Sequence, residues 1–167
     1  MADKLPQNMS ELLSEIDREW QELQKAIKKL TPEQMTTPDP GGWSPKDNLA
    51  HLAAWMDFMR EAHLNKKPAH ELMGMDAATL AGLDEDRENA ILFERYRNLP
   101  TAEALAWLDS TYAKVVETLK KTPFANLMKP IHDNDPEKRP VILSVLGNTS
   151  EHFVEHRLIM ERKFKPT

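Results

Sequence analysis

Apolar residues recur at steps of three and four along most of the chain, and this period restricts the possible folds more than any other feature. From Met9 onward, Leu12, Leu13, Ile16, Trp20, Leu23, Ile27 and Leu30 fall on one side of a helix turning every 3.6 residues, with Glu and Lys filling the other. Leu49, Leu52, Ala53, Met56 and Met59 repeat the pattern, as do Leu105, Leu108, Tyr112, Val115, Val116 and Leu119. No stretch alternates convincingly with the period of two that a half-buried strand requires. An amphipathic helix must bury its stripe against another element, so four long helices imply an all-α, four-helix bundle with one or two short additional helices. A length of 167 residues suits one domain, residues 1–167, with a substantial core.

Turn and cap residues place the boundaries. Thr31-Pro32 ends the first helix, and Pro38, Pro40, Gly41 and Gly42 form a loop. In "GGWSPKDNLAHLAAWMDFMREAHL", Ser44 stands as N-cap, Pro45 in the first turn and Asp47 three residues after the cap, where it can reach back to the free amides. Trp43, just ahead, can pack on that first turn. "NKKPAHELMGMDAATLAGLDED" reads as a loop with a short helical piece, followed by a helix from about Asp84 to Asn98 anchored by Ile91, Leu92 and Tyr96. Thr101, with Glu103, resembles the capped start of the third long helix. "TPFANLMKPIHDNDPEKRP" is a long connection of the kind that often carries a lid or a binding segment. The last helix runs from Val141 or Ser144 to Phe164.

Composition narrows the chemistry. With no cysteine there is no thiolate nucleophile and no sulfur-rich metal site, so a metal would take nitrogen and oxygen ligands. A net charge of −5 has the wrong sign for a general nucleic-acid binder, and no nucleic-acid partner is expected. No apolar run approaches 18 residues and the start lacks a signal-peptide pattern, so the expectation is a cytoplasmic protein with no membrane partner. There is no glycine-rich phosphate loop, no G-x-S-x-G elbow and no Ser-His-Asp order.

What remains is histidine. "NTSEHFVEHR" sets His152 and His156 one helical turn apart, in step with Val145 and Ile159 on the side facing inward. His51 lies on the second long helix, one turn before Trp55. If these two helices face each other, three imidazoles converge. Three neutral nitrogen ligands with an open position suit Lewis-acid chemistry by Zn²⁺, Ni²⁺ or Fe²⁺. The alternative is a set of core or rim histidines paired with carboxylates or backbone groups. Glu155 or Asp47 is placed to orient a ligand. Trp55, Phe58 and Tyr112 are the residues expected to line a substrate pocket, although the Tyr112 hydroxyl would equally serve a buried hydrogen bond. His63, ending its helix, suits a cation at the negative helix terminus, and His132 sits among ligand-type residues on a loop.

"GGWSPKDNLAHLAAWMDFM" resembles the second-helix signature of the DinB/YfiT-like superfamily, and "NTSEHFVEHRLIM" resembles its closing helix with a His-x-x-x-His pair. "ENAILFERYRNLPTAEALAWLDSTYAKVVETLKKTP" looks most like the ClbS/DfsB branch. The resemblance spans most of the chain in the same order. It implies an up-down-down-up four-helix bundle, often a homodimer, with a metal triad carried onto His51, His152 and His156. Members of the superfamily include metal-dependent, thiol-using transferases and isomerases and hydrolase-like enzymes. The ClbS-like branch includes a bacterial self-protection protein that opens the cyclopropane of a genotoxin. The resemblance thus implies a metal-dependent hydrolase or transferase for a small reactive or xenobiotic molecule. Its alternatives are a ClbS-like protection protein working without metal on an electrophile or cyclopropane, or a non-catalytic small-molecule-binding bundle.

Overall fold

The computed structural model describes residues 5–132 and 136–164, and these are helical, with no strand among the described residues. The first long helix, α1 (Met9–Lys28), starts where the Asn8 side chain accepts the Glu11 amide at 2.9 Å. It buries Leu12, Ile16, Trp20, Leu23 and Ile27 in one stripe. Each such side chain contributes roughly 1.5–3 kcal/mol by leaving water. Thr31-Pro32 does end this helix, but it also begins another. Thr31 and Gln34 exchange hydrogen bonds as a capping box that opens the short α2 (Pro32–Thr36).

The second long helix, α3 (Pro45–Met59), begins as its sequence requires. The Ser44 amide donates to Asp47 Oδ2 at 2.9 Å and the Asp47 amide donates to Ser44 Oγ at 3.3 Å. Its predicted stripe, Leu49, Leu52, Ala53, Met56 and Met59, is fully buried, and Ala50, His51 and Ala54 are buried as well. This helix is covered on nearly every side. A π-type turn, Arg60–Leu64, extends it. The region read as a loop with one helical piece holds two short helices, α4 (Ala69–Met73) and α5 (Ala77–Ala81). Asp84 then caps α6 (Glu85–Tyr96), where Leu92 is the buried anchor.

The third long helix, α7 (Thr101–Lys121), lacks the cap expected from Thr101: the residue at the cap position is Pro100, with no side-chain hydrogen bond. Its buried line runs Ala104, Leu108, Thr111, Val115 and Leu119, so Thr111 takes the place expected for Tyr112. The long connection contains α8 (Phe124–Leu127) and an isolated bridge between Pro130 and Pro140. The "HDND" motif in it extends outside the described residues beyond His132.

The closing segment is two helices, α9 (Val141–Gly147) and α10 (Ser150–Lys163). The break arises because two side chains bond back to the backbone. Asn148 Nδ2 donates to the Ser144 carbonyl at 2.8 Å and Thr149 Oγ1 donates to the Val145 carbonyl at 2.6 Å. The second satisfies a carbonyl that the end of α9 leaves free, and the first adds a donor to the Ser144 carbonyl, which also accepts the Asn148 amide at 3.1 Å. In the packed bundle α1 lies against α10 and α3 against α7, with α3 also touching α10. The restart at Ser150 therefore sets the register with which α10 presents its first turns.

Candidate metal centre

His51, from α3, and His152 and His156, from α10, turn their Nε2 atoms toward one another. His152 Nε2 lies 3.1 Å from His51 Nε2 and 3.1 Å from His156 Nε2, and the three ring centroids are 4.7–5.0 Å apart. His51 and His156 are buried, at 8% and 7% exposure. Burial pushes His51 down to about 3, helped by the charge of His152, and pushes His152 down to about 4. Burial also holds His156 well below its usual range, with the other two rings adding to the effect. At neutral pH all three are uncharged and keep lone pairs.

One tautomer follows from its neighbours. Asn48 Nδ2 donates to the Ser44 carbonyl at 2.8 Å, which turns Oδ1 toward His156 Nδ1 at 2.7 Å. The His156 Nδ1–H donates there, so its Nε2 carries the lone pair into the cluster. Asn48 was not singled out in the sequence, although it lies three residues before His51 and so on the same face. Glu155, a residue expected in this orienting role, is exposed. The other, Asp47, is occupied by the cap and by Lys46 Nζ at 2.7 Å. Burial raises the Asp47 pKa, but hydrogen bonds from Lys46 and Ser44 outweigh it and hold the carboxyl below its ordinary value.

Hydrogen bonding alone does not satisfy this cluster. A single proton on His152 Nε2 would have to serve two neighbours at once. The Nδ1 atoms of His51 and His152 are buried with no hydrogen-bond partner among the described residues, and as N–H groups they would leave each Nε2 its lone pair. A shared cation would accept one lone pair from each ring. Two imidazoles on one zinc-like ion, at roughly 2.0–2.1 Å and angles of about 90–109°, would have nitrogens about 2.8–3.4 Å apart. The observed 3.1 Å falls within that span. Among the described residues this is the only group of three such side chains placed to hold an ion.

The other predicted site residues divide. Trp55 lies beside His51, with centroids 6.3 Å apart, and its indole N–H donates to Asn89 Oδ1 at 2.9 Å. Phe58 packs against Trp55 and continues that wall away from His51. Trp43 reaches past the first turn to meet His51 edge-on at 5.4 Å and Phe93 at 4.7 Å. Trp43 and Phe93, with Leu92 and Tyr96, line a narrow crevice of about 10 Å³ beside His51, and neither Trp55 nor Phe58 borders it. Tyr112 is elsewhere: it stacks on Trp20 with centroids 4.0 Å apart and donates to Asp17 at 3.2 Å. It makes no hydrogen bond or ring contact with the three histidines. His63 is not the charged terminus expected, because burial and the charges of His132 and Lys66 push it down to about 4.

Solved structures share this fold over nearly the full length. One is the colibactin self-resistance protein ClbS in complex with a dsDNA, with a TM-score of 0.76 and 15% identity, covering 98% of this chain and 99% of that one. An uncharacterised protein from Clostridium difficile 630 matches with a TM-score of 0.76 and 16% identity, over 98% of this chain and 100% of that one. DfsB, described as a sibling lethal factor precursor, matches with a TM-score of 0.73 and 16% identity, over 96% of each chain. No curated protein matches. The ClbS complex corrects one expectation. A net charge of −5 has the wrong sign for a general nucleic-acid binder, yet this fold has been crystallised with duplex DNA. Net charge sums the whole surface, whereas a nucleic acid meets one face of it. Among the described residues, no helix is long and apolar enough to cross a membrane. The profile of the DinB superfamily matches residues 15–160, and the chain belongs to that superfamily, with the fold seen in ClbS and DfsB.

Proposed function

We propose that this chain is a metal-dependent hydrolase or transferase for a small reactive molecule, with His51, His152 and His156 as ligands of one divalent transition ion. The meeting of three imidazole Nε2 atoms from two helices, where one proton cannot serve every neighbour, carries this reading. An all-nitrogen donor set suits zinc, nickel or iron(II). Such an ion, once bound, supplies Lewis acidity and lowers the pKa of a coordinated water or thiol. The chain's own residues have separate tasks. Asn48 fixes the His156 tautomer, burial keeps all three rings neutral, and Trp43 and Phe93 restrict water beside His51. Trp55 and Phe58 are the side chains assigned to the substrate's wall.

Elemental analysis of the purified protein, with cobalt(II) titration after chelation, tests the metal. About one equivalent should bind, and His152→Ala should lose it. Absence of binding in both measurements, with unchanged thermal stability in His152→Ala, removes the proposal. Likeness to ClbS supports a second reading, protection against an electrophile without metal; consumption of an electrophile that persists in chelator would select it. The same likeness supports testing duplex DNA as a partner, by a gel-shift titration at several salt concentrations.

A further inference from the structure

Twelve residues beyond His51, roughly 18 Å along the helix axis, the π-type turn Arg60–Leu64 carries another imidazole, His63. Turns of this type are frequent at functional sites. His63 Nδ1 lies 2.6 Å from Ser144 Oγ on α9, so the ring is held while its other side lines a cavity of about 670 Å³. That volume lies within the range of small-molecule sites, about 300–1,000 Å³. The cavity is bounded by the π-type turn, the end of α7 with α8, and the strand-like bridge at Pro130.

Its lining departs from the rest of the chain. Acidic residues outnumber Lys and Arg by 27 to 22 overall, yet no Asp or Glu lines this cavity among the described residues, while Lys66, Lys129, His63 and His132 do. Lys66 has no ion-pair partner among the described residues, and Lys129 Nζ reaches only the Asn126 side-chain oxygen, at 2.8 Å. Lys66 also stands at φ +59°, a left-handed conformation that is unfavourable for a residue with a Cβ. Strain of this kind gathers where ligands are held. The His63 and His132 rings meet edge to face at 6.3 Å. Leu64, Leu127, Ile131 and Val141 provide an apolar wall beside these cationic and polar groups.

We propose that this cavity is a binding site for a small anion with an apolar body, an aryl or alkyl phosphate or carboxylate, separate from the three-histidine cluster. Lys66 and Lys129 take the charged group, and the apolar wall takes the rest. A lysine ammonium is a flexible point charge and holds such a group without a fixed geometry. A concave cavity with one apolar side fits a compact ligand better than a polymer backbone, which needs a track of successive charges.

Titration with phenyl phosphate, followed by NMR at the imidazole Cε1–H signals of His63 and His132, tests the assignment. Both signals should shift saturably, in chelator as well as without it, and phenol should leave them in place. The protein carrying Lys66→Gln and Lys129→Gln should bind about tenfold more weakly; both lysines are exposed, so the variant should fold. Absence of a saturable shift overturns the proposal, as does one that ignores both substitutions. A shift lost in chelator would move the phosphate to the three histidines. Equal binding of inorganic phosphate would remove the role of the apolar wall. Shifts produced by duplex DNA but not by phenyl phosphate would reassign the lining to a nucleic-acid backbone.

Discussion

Between α3 and α10, the Nε2 atoms of His51 and His156 each lie 3.1 Å from that of His152, beside a crevice of about 10 Å³. Near the far end of the extended α3, His63 and His132 stand 6.3 Å apart, edge to face, on a cavity of about 670 Å³ shared with two lysines. Burial depresses the pKa of the three clustered histidines and of His63. The difference lies in what surrounds the neutral rings. Where lone pairs converge and no space is left, the partner we propose is a cation. Where cationic groups line an open space, the partner we propose is an anion. A histidine count or a pKa direction would not separate these two places; the direction of the nitrogens and the room in front of them do.

Loading the first place should produce the largest effect. A tightly bound ion at a hundredfold excess over its Kd stabilises by about 2.7 kcal/mol, or roughly 5–10 °C in Tm for a chain of this size. Differential scanning calorimetry of the chelated protein with and without Zn²⁺ should show this rise, and His51→Ala should abolish it. A rise that survives in His51→Ala would place the ion elsewhere and end the contrast between the two places.

Asn48→Ala should follow. It leaves the buried His156 N–H without its acceptor, at about 1–3 kcal/mol of stability, and should weaken metal affinity by about 10–100-fold. Chemical denaturation and competition with a metallochromic chelator read the two effects separately. Loss of stability with unaltered affinity would make Asn48 a packing residue only.

His63 should make stability depend on pH with a defined sign. Its folded pKa, about 4, lies below the unfolded value of 6.5, so the unfolded chain binds the proton more readily. The stability it protects is whole above pH 6.5 and falls as the pH drops toward 4, by about 1–3 kcal/mol after allowance for partial exposure. Urea titrations from pH 7 to 4 should show a shallower decline for His63→Gln than for the unaltered chain. Equal slopes would mean that His63 is not held neutral.

The smallest effect belongs to Tyr112→Phe. Its hydroxyl donates to Asp17 at the α1–α7 contact, so the loss should be about 0.5–1.5 kcal/mol, with cobalt binding unchanged. An altered cobalt spectrum would bring Tyr112 back to the metal centre.

Much of this was legible in the sequence where the cause is local. The capping box of Ser44 and Asp47 spans four residues and forms as read. The apolar stripes of α1 and α3 are periodic enough to name their buried members in advance. The break between α9 and α10 was not legible, because Asn148 and Thr149 are tolerated inside a helix and become breakers only by bonding back to Ser144 and Val145. Tyr112 fell in the apolar register of α7, but its neighbours Trp20 and Asp17 come from α1, more than ninety residues earlier.

By itself, then, the sequence determined the long helical segments, most of their inward faces and the pairing of His152 with His156, since each depends on dihedral preference and a period of 3.6 within one segment. Tertiary packing alone decided that His51 meets that pair, that Asn48 rather than Glu155 or Asp47 orients it, and that His63 is neutral beside a cationic cavity. These follow from the direction of side chains on helices distant in sequence and from the water excluded between them. Spacing along a chain specifies neither.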